Sequence, residues 1–223
     1  MTSLKRQLRP AVVAMVALTL LLGIAYPLAI TGIGQVAFPG NSNGQQIHVD
    51  GKLIGSAEIG QQFTDVVRKP NGQPKLDSNG NPVTVPDPRY FQSRPSATVP
   101  PYNAAASTFS NLGPNDLATK QSIQANAKAY LALNRRYDPG LTVAKLPVDA
   151  VNTSASGLDP DISQANAWIQ AHRIAAVRHM SLQAVDALIS TYTGGPGLGF
   201  VGQPSVNVLE LNLALDRAAK GRS

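Results

Sequence analysis

The chain has 223 residues, of which 43% are hydrophobic but only 5% aromatic, and it contains no cysteine. The missing cysteine excludes disulfides, thiolate metal ligands and cysteine nucleophiles, and the composition predicts an aliphatic core. The formal net charge is +6, yet Lys5, Arg6 and Arg9 contribute half of that excess. The remaining 16 basic residues are nearly balanced by 13 acidic ones and are not interleaved with aromatic residues. A nucleic-acid-binding surface is therefore a poor explanation of the positive net charge.

An uncharged apolar stretch follows the basic residues near the start of the chain. Ten of the 19 positions from Val12 to Ile30 are Leu, Ile or Val. About 20 apolar residues in a helix cross the roughly 30 Å hydrocarbon layer of a bilayer. The pattern predicts a transmembrane helix over residues 11–33, after a basic flank of residues 1–10. Because basic flanks stay cytoplasmic, we expect the N-terminus in the cytoplasm and residues 34–223 to form an extracytoplasmic domain.

A cleaved signal peptide is the alternative to a membrane anchor. The apolar run is longer than the roughly 7–15-residue core of a signal peptide. Gln35 is also bulky for the minus-three site of a cleavage after Ala37. Both features favour an uncleaved, single-pass anchor in the cell membrane, inner or plasma. Thr19 and Gly23 add a small-residue face where another membrane helix could approach.

The domain after the anchor mixes strands and helices. Asp50-Gly51 stands between two apolar-containing runs and predicts a hairpin over residues 46–54. Residues 68–88 are rich in Pro, Gly and Asn, which indicates a loop or a small hairpin insertion. A short strand or extended segment is expected at residues 143–151.

Four helices are predicted from capping residues and from apolar residues at helical spacing. They are expected at residues 114–135, from 161 or 163 to 178, from 182 after an N-cap at Ser181, and at 205–219. The second of these is expected to bury Ile162, Ala165, Ile169 and Ala176. The predicted fold class is therefore α+β, a single N-terminal transmembrane helix followed by one helix-rich mixed extracytoplasmic domain.

Residues able to carry out chemistry are sparse and unconnected. His172 and His179 are seven apart on one predicted helix, which is too far for joint metal ligation, so no metal site is expected. Asp159 and Asp161 precede that helix and are expected to stabilise its first amides. The glycines of residues 194–199 lack the Lys-Ser/Thr of a phosphate loop and indicate a helix stop and a turn. No nucleophile, base and orienting group form a set, so no catalytic residues are predicted.

Six sequence motifs occur together in this order along the chain. They are Tyr26-Pro-Leu-Ala-Ile-Thr-Gly-Ile-Gly-Gln35, Tyr90-Phe-Gln-Ser-Arg-Pro-Ser-Ala97, Tyr102-Asn103, Ser110-Asn-Leu-Gly-Pro114, Ser154-Ala-Ser-Gly-Leu-Asp-Pro160 and Val206-Asn-Val-Leu-Glu-Leu-Asn-Leu-Ala-Leu-Asp216. In combination they resemble the KdpC family, the C subunits of the bacterial potassium-transporting ATPase. The insertion at residues 68–88 departs from the shortest family members, but it falls in a predicted loop.

The resemblance implies an accessory, non-catalytic subunit of an ATP-driven, high-affinity potassium uptake complex in the membrane. Its implied partners are a potassium-conducting subunit, a P-type ATPase subunit that hydrolyses ATP, and a small single-pass subunit. The implied role is to stabilise the assembly of these subunits and to support transport. An alternative implied by the family is a catalytic chaperone that binds nucleotide and raises the ATP affinity of the ATPase subunit.

That alternative depends on a glutamine after the Ser-Gly-Leu-Asp motif, which by position is Gln170, three residues before Arg173. The resemblance makes Gln170 the candidate nucleotide-binding residue and ATP the only candidate cofactor. The charge rule, however, places Gln170 outside the cytoplasm, whereas ATP is cytoplasmic. The sequence therefore favours hydrogen bonds from Gln170 and Arg173 to backbone or partner groups.

Overall fold

The computed structural model describes residues 2–196 and 199–220. Within it the chain forms two compact units that meet in sequence between Ser56 and Ala57. The two units are described separately below. The predicted boundaries at residues 10/11 and 33/34 concern the membrane and stay predictions.

The first unit begins with a long continuous helix. Helix α1 (Thr2–Leu20) passes through a π-helical turn (Leu21–Ala25) into α2 (Tyr26–Ala37). Its 32-residue stretch Arg6–Ala37 is long and apolar enough to cross a membrane, and none of its apolar window is buried. The predicted helix is therefore confirmed, and it extends four residues past residue 33.

The π-helical turn has a local cause in the sequence. Pro27 lacks an amide hydrogen, and its ring conflicts with the carbonyl of Gly23, four residues earlier. The helix widens just before this proline, where the Tyr26 amide donates to the Leu21 carbonyl. An inserted residue of this kind is a common way for a long helix to absorb a conflict with proline.

A short helix and a hairpin complete the first unit. Helix α3 (Pro39–Ser42) precedes the antiparallel strands β1 (Gln46–Val49) and β2 (Lys52–Ser56). Asp50 and Gly51 have φ values of +51° and +77°, the left-handed conformation that a two-residue hairpin turn requires. The predicted hairpin is confirmed.

The second unit opens with another hairpin. Strand β3 (Thr64–Val66) pairs with β4 (Thr84–Pro86), and the residues between them form two small turns closed by isolated bridges, Arg68 with Pro74 and Leu76 with Pro82. The Pro-, Gly- and Asn-rich segment is therefore a hairpin insertion, one of the two predicted possibilities.

Four helices and a small sheet form the rest of the unit. The helices are α4 (Leu117–Asn134), α5 (Gln164–Val177), α6 (Leu182–Thr191) and α7 (Val208–Lys220). The strands β5 (Asp161–Ser163), β6 (Thr193–Gly194) and β7 (Ser205–Asn207) form an antiparallel sheet in the order β5-β7-β6. All four predicted helices are present, so the α+β, helix-rich prediction is confirmed.

Three local predictions were wrong. Residues 161–163 and 205–207 are strands, because Ile162 pairs with Val206 across the sheet, so helix starts at 161 and at 205 were wrong. The alternative start at 163 agrees with the structure, in which Ser163 is the N-cap of α5. The segment 143–151 forms two 3-10 turns separated by Pro147, which has no amide hydrogen for a strand ladder. Helix α5 exposes Ala165 and Ala176. An apolar-face rule therefore selected the wrong alanines. The buried residues of this helix are three polar ones and four apolar ones: Asn166, Ala167, Gln170, Ala171, Arg173, Ile174 and Ala175.

Two apolar clusters stabilise this unit. The larger cluster lies among β5, β7, α5, α6 and α7, and its fully buried members include Phe91, Ile162, Ala171, Ile174, Val185, Ile189, Val206, Leu211 and Leu215. The smaller cluster lies where the α4 and α5 helices meet the 3-10 turns, and contains Tyr130, Leu141 and Ala150. Helix α5 contributes to both, so its orientation determines how the two clusters meet.

We expect Gly157→Ala to destabilise this unit by about 2–3 kcal/mol. Gly157 has φ +71°, and a Cβ there would lie 2.7 Å from Thr98 Cγ2 and 2.8 Å from the Thr108 carbonyl. The check is urea unfolding followed by the fluorescence of Trp168, the single tryptophan. Gly113→Ala is the matched control, since no atom lies within 4 Å of its added Cβ. Equal midpoints for both variants would contradict the prediction.

Candidate functional site: a buried polar network

The centre of the second unit holds a fully buried arginine. Arg173 on α5 is 0% exposed. Its Nε donates to the Pro88 carbonyl at 3.0 Å, and its Nη2 donates to the Tyr90 carbonyl at 2.7 Å. Nη1 donates to Asn134 Oδ1 on α4, and Nη2 also donates to Gln170 Oε1. Burial lowers the pKa of Arg173 to about 10, so the side chain remains a cation at neutral pH.

Every hydrogen-bond acceptor found for this cation is neutral. Isolated charges are expensive to bury, and carbonyl and carboxamide oxygens offset that cost only when several point at the guanidinium together. Four such oxygens do so here. Arg173 thereby ties the extended segment of residues 88–92 to helices α4 and α5.

Two carboxamides clamp the same segment. The Gln92 amide donates to Gln170 Oε1 at 2.8 Å, and Gln170 Nε2 donates back to the Gln92 carbonyl at 3.0 Å. Asn212 on α7 does the same for Phe91, with distances of 2.8 and 3.0 Å. Each side chain thus satisfies one residue's donor and acceptor, as a neighbouring strand would do in a sheet.

The network continues through α4 and α5 to a second group of hydrogen bonds, which is centred on the carboxylate of Asp149. Asn166 Oδ1 accepts from Gln170 Nε2 at 2.9 Å and from the Tyr130 hydroxyl at 2.8 Å. Asn166 Nδ2 donates to Asp149, whose carboxylate also accepts from the Ser163 amide and hydroxyl. Burial raises the pKa of Tyr130 above its ordinary value. The Tyr130 hydroxyl therefore stays neutral and remains a donor.

Paired charges, each with one largely buried member, also fix the same segment. Arg89 and Asp87 form an ion pair at 2.6 Å, which lowers the pKa of Asp87 against the opposing effect of its burial. Arg178 lies 4.7 Å from the centre of the Tyr90 ring and pairs with Asp216 on α7 at 2.8 Å. These contacts connect segment 87–92 to the C-terminal helix.

A cleft of about 290 Å³ lies beside the continuation of this segment, residues 93–102. Arg94 pairs with Asp159 at 2.8 Å and donates to the Thr153 carbonyl. The Tyr102 hydroxyl donates to the Arg94 carbonyl. Ser96 Oγ donates to the Gly157 carbonyl and accepts from the Tyr102 amide. One wall of the cleft is therefore made of turns held mainly by side chain to backbone bonds, and residues of helix α4, among them Asn126 and Leu133, line it as well.

Tyr102→Phe is expected to remove part of the alkaline loss of stability. Burial raises the pKa of Tyr102 to about 12, against an ordinary value near 10. The unfolded chain then loses this proton first, so folding free energy is lost as the pH rises from 10 to 12, by about 2 kcal/mol in all. In urea unfolding between pH 8 and pH 11.5, the stability advantage of the wild type over the variant should shrink. Parallel curves would contradict this prediction.

The predicted site residues fall in different places. Gln170 lies inside the polar network, with its oxygen and its amide nitrogen both occupied. His48, His172 and His179 are all exposed, and no group of potential metal ligands occurs among residues 2–196 and 199–220. The glycine segment 194–199 lies partly outside the described residues; α6 does end just before it, at Thr191.

The expectation for Asp159 and Asp161 was wrong. Asp159 pairs with Arg94, and Asp161 accepts from the Ser205 hydroxyl at 2.6 Å. The N-cap of α5 is Ser163, whose Oγ accepts from the Asn166 amide. The two aspartates therefore fix the turn and the sheet that precede the helix. Residues 154–159 form a turn, in which Ser154 Oγ accepts from the Gly157 amide.

Sequence reasoning missed the other carboxamides of the network, namely Gln92, Asn134, Asn166 and Asn212. A signal for them does exist. Asn166, Gln170 and Arg173 are spaced i, i+4 and i+7, so they share one face of α5, and Asn212 interrupts the buried row of α7. Polar residues at such positions indicate a buried network and not a solvent-exposed face.

Comparison with known proteins decides the family. The family model for KdpC, the c chain of the K⁺-transporting ATPase, matches residues 8–217. The chain belongs to the KdpC family. A potassium-transporting ATPase KdpC subunit of Caulobacter vibrioides is 46% identical over 210 residues, which cover 94% of this chain and 92% of the relative.

Further KdpC subunits agree over the same length. One from Mycobacterium bovis is 43% identical across 96% of this chain and all of the relative. One from Methylococcus capsulatus is 44% identical across 93% of this chain and 96% of the relative. The KdpC resemblance seen in the motifs is therefore confirmed, and it extends over both the apolar helix and the network.

Proposed function

We propose that this chain is a non-catalytic accessory subunit of an ATP-driven potassium uptake complex, in which it stabilises the assembly of the other subunits. Its implied partners are the potassium-conducting subunit, the ATP-hydrolysing subunit and a small single-pass subunit. The observation that carries the proposal is the buried network. Buried polar side chains of the fold hydrogen-bond to segment 87–102 and hold it in place. This suits a chain that presents a surface to partners and not one that carries out chemistry on a substrate.

The apolar helix supports a membrane-anchored form of this role. Leu22 and Leu28 are 59% and 66% exposed, which is typical of a helix that faces lipid or other membrane helices. By the charge rule, we place the basic flank of residues 1–10 in the cytoplasm and residues 34–223 outside it. A reporter enzyme that is active only outside the cytoplasm, fused after residue 223, should be active in cells.

Co-purification tests the proposal. A C-terminal affinity tag on the full chain should co-elute the potassium-conducting and ATP-hydrolysing subunits from mild detergent, with potassium-stimulated ATP hydrolysis in the eluate. The untagged chain, expressed at the same level, is the control for non-specific elution. A stable and fully active complex from cells that lack this chain would defeat the proposal.

Nucleotide binding through Gln170 stays the second candidate. It requires the carboxamide to release the backbone of Gln92 or the side chains of Asn166 and Arg173, and each lost bond leaves a buried polar group unpaired. No feature of the described residues favours that exchange, so we rank the assembly role first.

A further inference from the structure

Helix α4 has a face that is only partly covered: Ala127 on it is buried, whereas Ile123 and Leu131 are half-buried and Gln124 is exposed. Ile123, Ala127 and Leu131 are spaced four apart and form an apolar row along the helix. Beside it run Gln124, Ala132 and, at the far wall, Val143, which is 64% exposed. Together these residues line an open groove of about 800 Å³. Small side chains at Ala127 and Ala132 make it concave, so another backbone can approach closely.

The rim of this groove is basic. Lys128, Arg135 and Arg136 line it, and Lys120 lies about two turns before Lys128 on α4. From Leu117 to Tyr137 the chain has no Asp or Glu. None of these four cations forms an ion pair with any of the residues that the structure describes, where the ion pairs found involve Arg89, Arg94 and Arg178.

The combination specifies the chemistry of an occupant. An apolar row with a one-signed charged edge is complementary to an amphipathic helix that has apolar residues at i, i+3, i+4 and i+7 and carboxylates along one flank. The concavity favours a rod-like segment over a flat lipid surface, because a bilayer cannot enter a groove between a helix and a 3-10 turn.

We propose that the α4 groove docks an acidic amphipathic helix of a protein partner. This deepens the proposed assembly role and rests on it, because a groove of this kind matters only for a chain that binds other subunits. The apolar row provides the area that is buried on docking. The cations favour a partner of negative charge and determine its orientation. The docked helix would cover Val143 and the exposed edges of Ile123 and Leu131.

Site-specific crosslinking in cells tests this directly. Gln124, which is exposed at the groove, is replaced in the full-length chain by the photoreactive amino acid p-benzoylphenylalanine, and crosslinked peptides are identified by mass spectrometry. We expect one main protein segment, with net negative charge and apolar residues at helical spacing. A crosslink to lipid, to a neutral or basic segment, or no crosslink above that of the same substitution at Gln183 on α6 would overturn the proposal.

Charge reversal gives the second readout. The triple variant Lys128→Glu, Arg135→Glu, Arg136→Glu should lower the crosslink yield at least about tenfold, since like charges would then face each other across the groove. Its matched control is Arg68→Glu, Lys69→Glu, Lys75→Glu on the β3–β4 hairpin, which should leave the yield unchanged. Unfolding midpoints of both variants report whether the fold is intact, and an unchanged yield in the α4 variant would overturn the proposal.

Co-elution of the other subunits with the tagged Gln124 variant distinguishes failure of the groove proposal from failure of the assembly role. If they co-elute but the crosslinked segment is not acidic, the groove proposal fails and the assembly role stands. If they do not co-elute, the assembly role fails, whereas the crosslinked segment still reports what occupies the groove.

Discussion

Arg173→Met is expected to lower the free energy of unfolding of the folded unit by about 4 kcal/mol. Methionine fills much of the same volume, so the effect comes from polar groups and not from a cavity. The part-buried carbonyls of Pro88 and Tyr90 and the buried Asn134 side chain lose their donor. Removing the buried charge offsets part of this loss. A domain with a total stability of about 5–15 kcal/mol would become marginal.

The measurement is urea unfolding of the full chain in mild detergent, followed by Trp168 fluorescence. Arg217→Met, an exposed position on α7, is the matched control and should change the midpoint little. Arg173→Lys should recover only part of the loss, because one ammonium cannot reproduce the fork that reaches both carbonyls. A midpoint for Arg173→Met equal to that of the control would show that the cation does not hold segment 88–92.

Gln170→Ala and Asn212→Ala are each expected to lower the free energy of unfolding by about 2–4 kcal/mol, and the two losses should be similar. The reason is that the two carboxamides, on different helices, make the same pair of hydrogen bonds to the backbones of successive residues, Gln92 and Phe91. Each substitution removes the partner of one backbone amide and one carbonyl. Gln170→Ala also removes bonds to Asn166 and Arg173, which keep their bonds to the Tyr130 hydroxyl and the Tyr90 carbonyl. Urea unfolding with the same fluorescence signal measures both.

Two further variants sharpen this comparison. Gln183→Ala, exposed on α6, should leave stability within about 0.5 kcal/mol of the wild type. Gln170→Met, which adds no charge beside Arg173, should be as damaging as Gln170→Ala, because its thioether cannot donate to the Gln92 carbonyl. A Gln170→Met variant as stable as the wild type would mean that the clamp is not required.

The sequence predicted those elements whose signals are local. The long uncharged run specifies its helix, and Asp50-Gly51 specifies its hairpin because both residues tolerate positive φ. Ser181 caps α6 as expected, with its Oγ accepting from the Ala184 amide. In each case a few adjacent residues contain the whole physical reason.

The elements that sequence missed depend on distant contacts. Strands β5 and β7 have three residues each, which is too short to display a period, and Ile162 meets Val206 only after the chain has folded. The buried face of α5 was misassigned because polarity was taken to mean exposure. Gln170 and Arg173 are buried only because segment 88–92, about 80 residues earlier in the chain, supplies their partners.

The same limit applied to the candidate site. Family resemblance selected Gln170, but not what it binds, since a carboxamide can recognise a nucleotide or a backbone amide equally well. The geometry shows it clamping Gln92 in an arrangement repeated by Asn212 and Phe91. That repetition is the strongest reason to treat Gln170 as part of the architecture.

The ATP dependence of the purified complex distinguishes architecture from nucleotide binding most directly. The full complex is purified with the wild-type chain, with Gln170→Ala and with Asn212→Ala, and the KM for ATP of potassium-stimulated hydrolysis is measured in each. We expect lower complex yields for both variants, and in the complexes that survive a KM for ATP equal to that of the wild type. A KM raised several-fold by Gln170→Ala but not by Asn212→Ala would contradict this and assign Gln170 to the nucleotide.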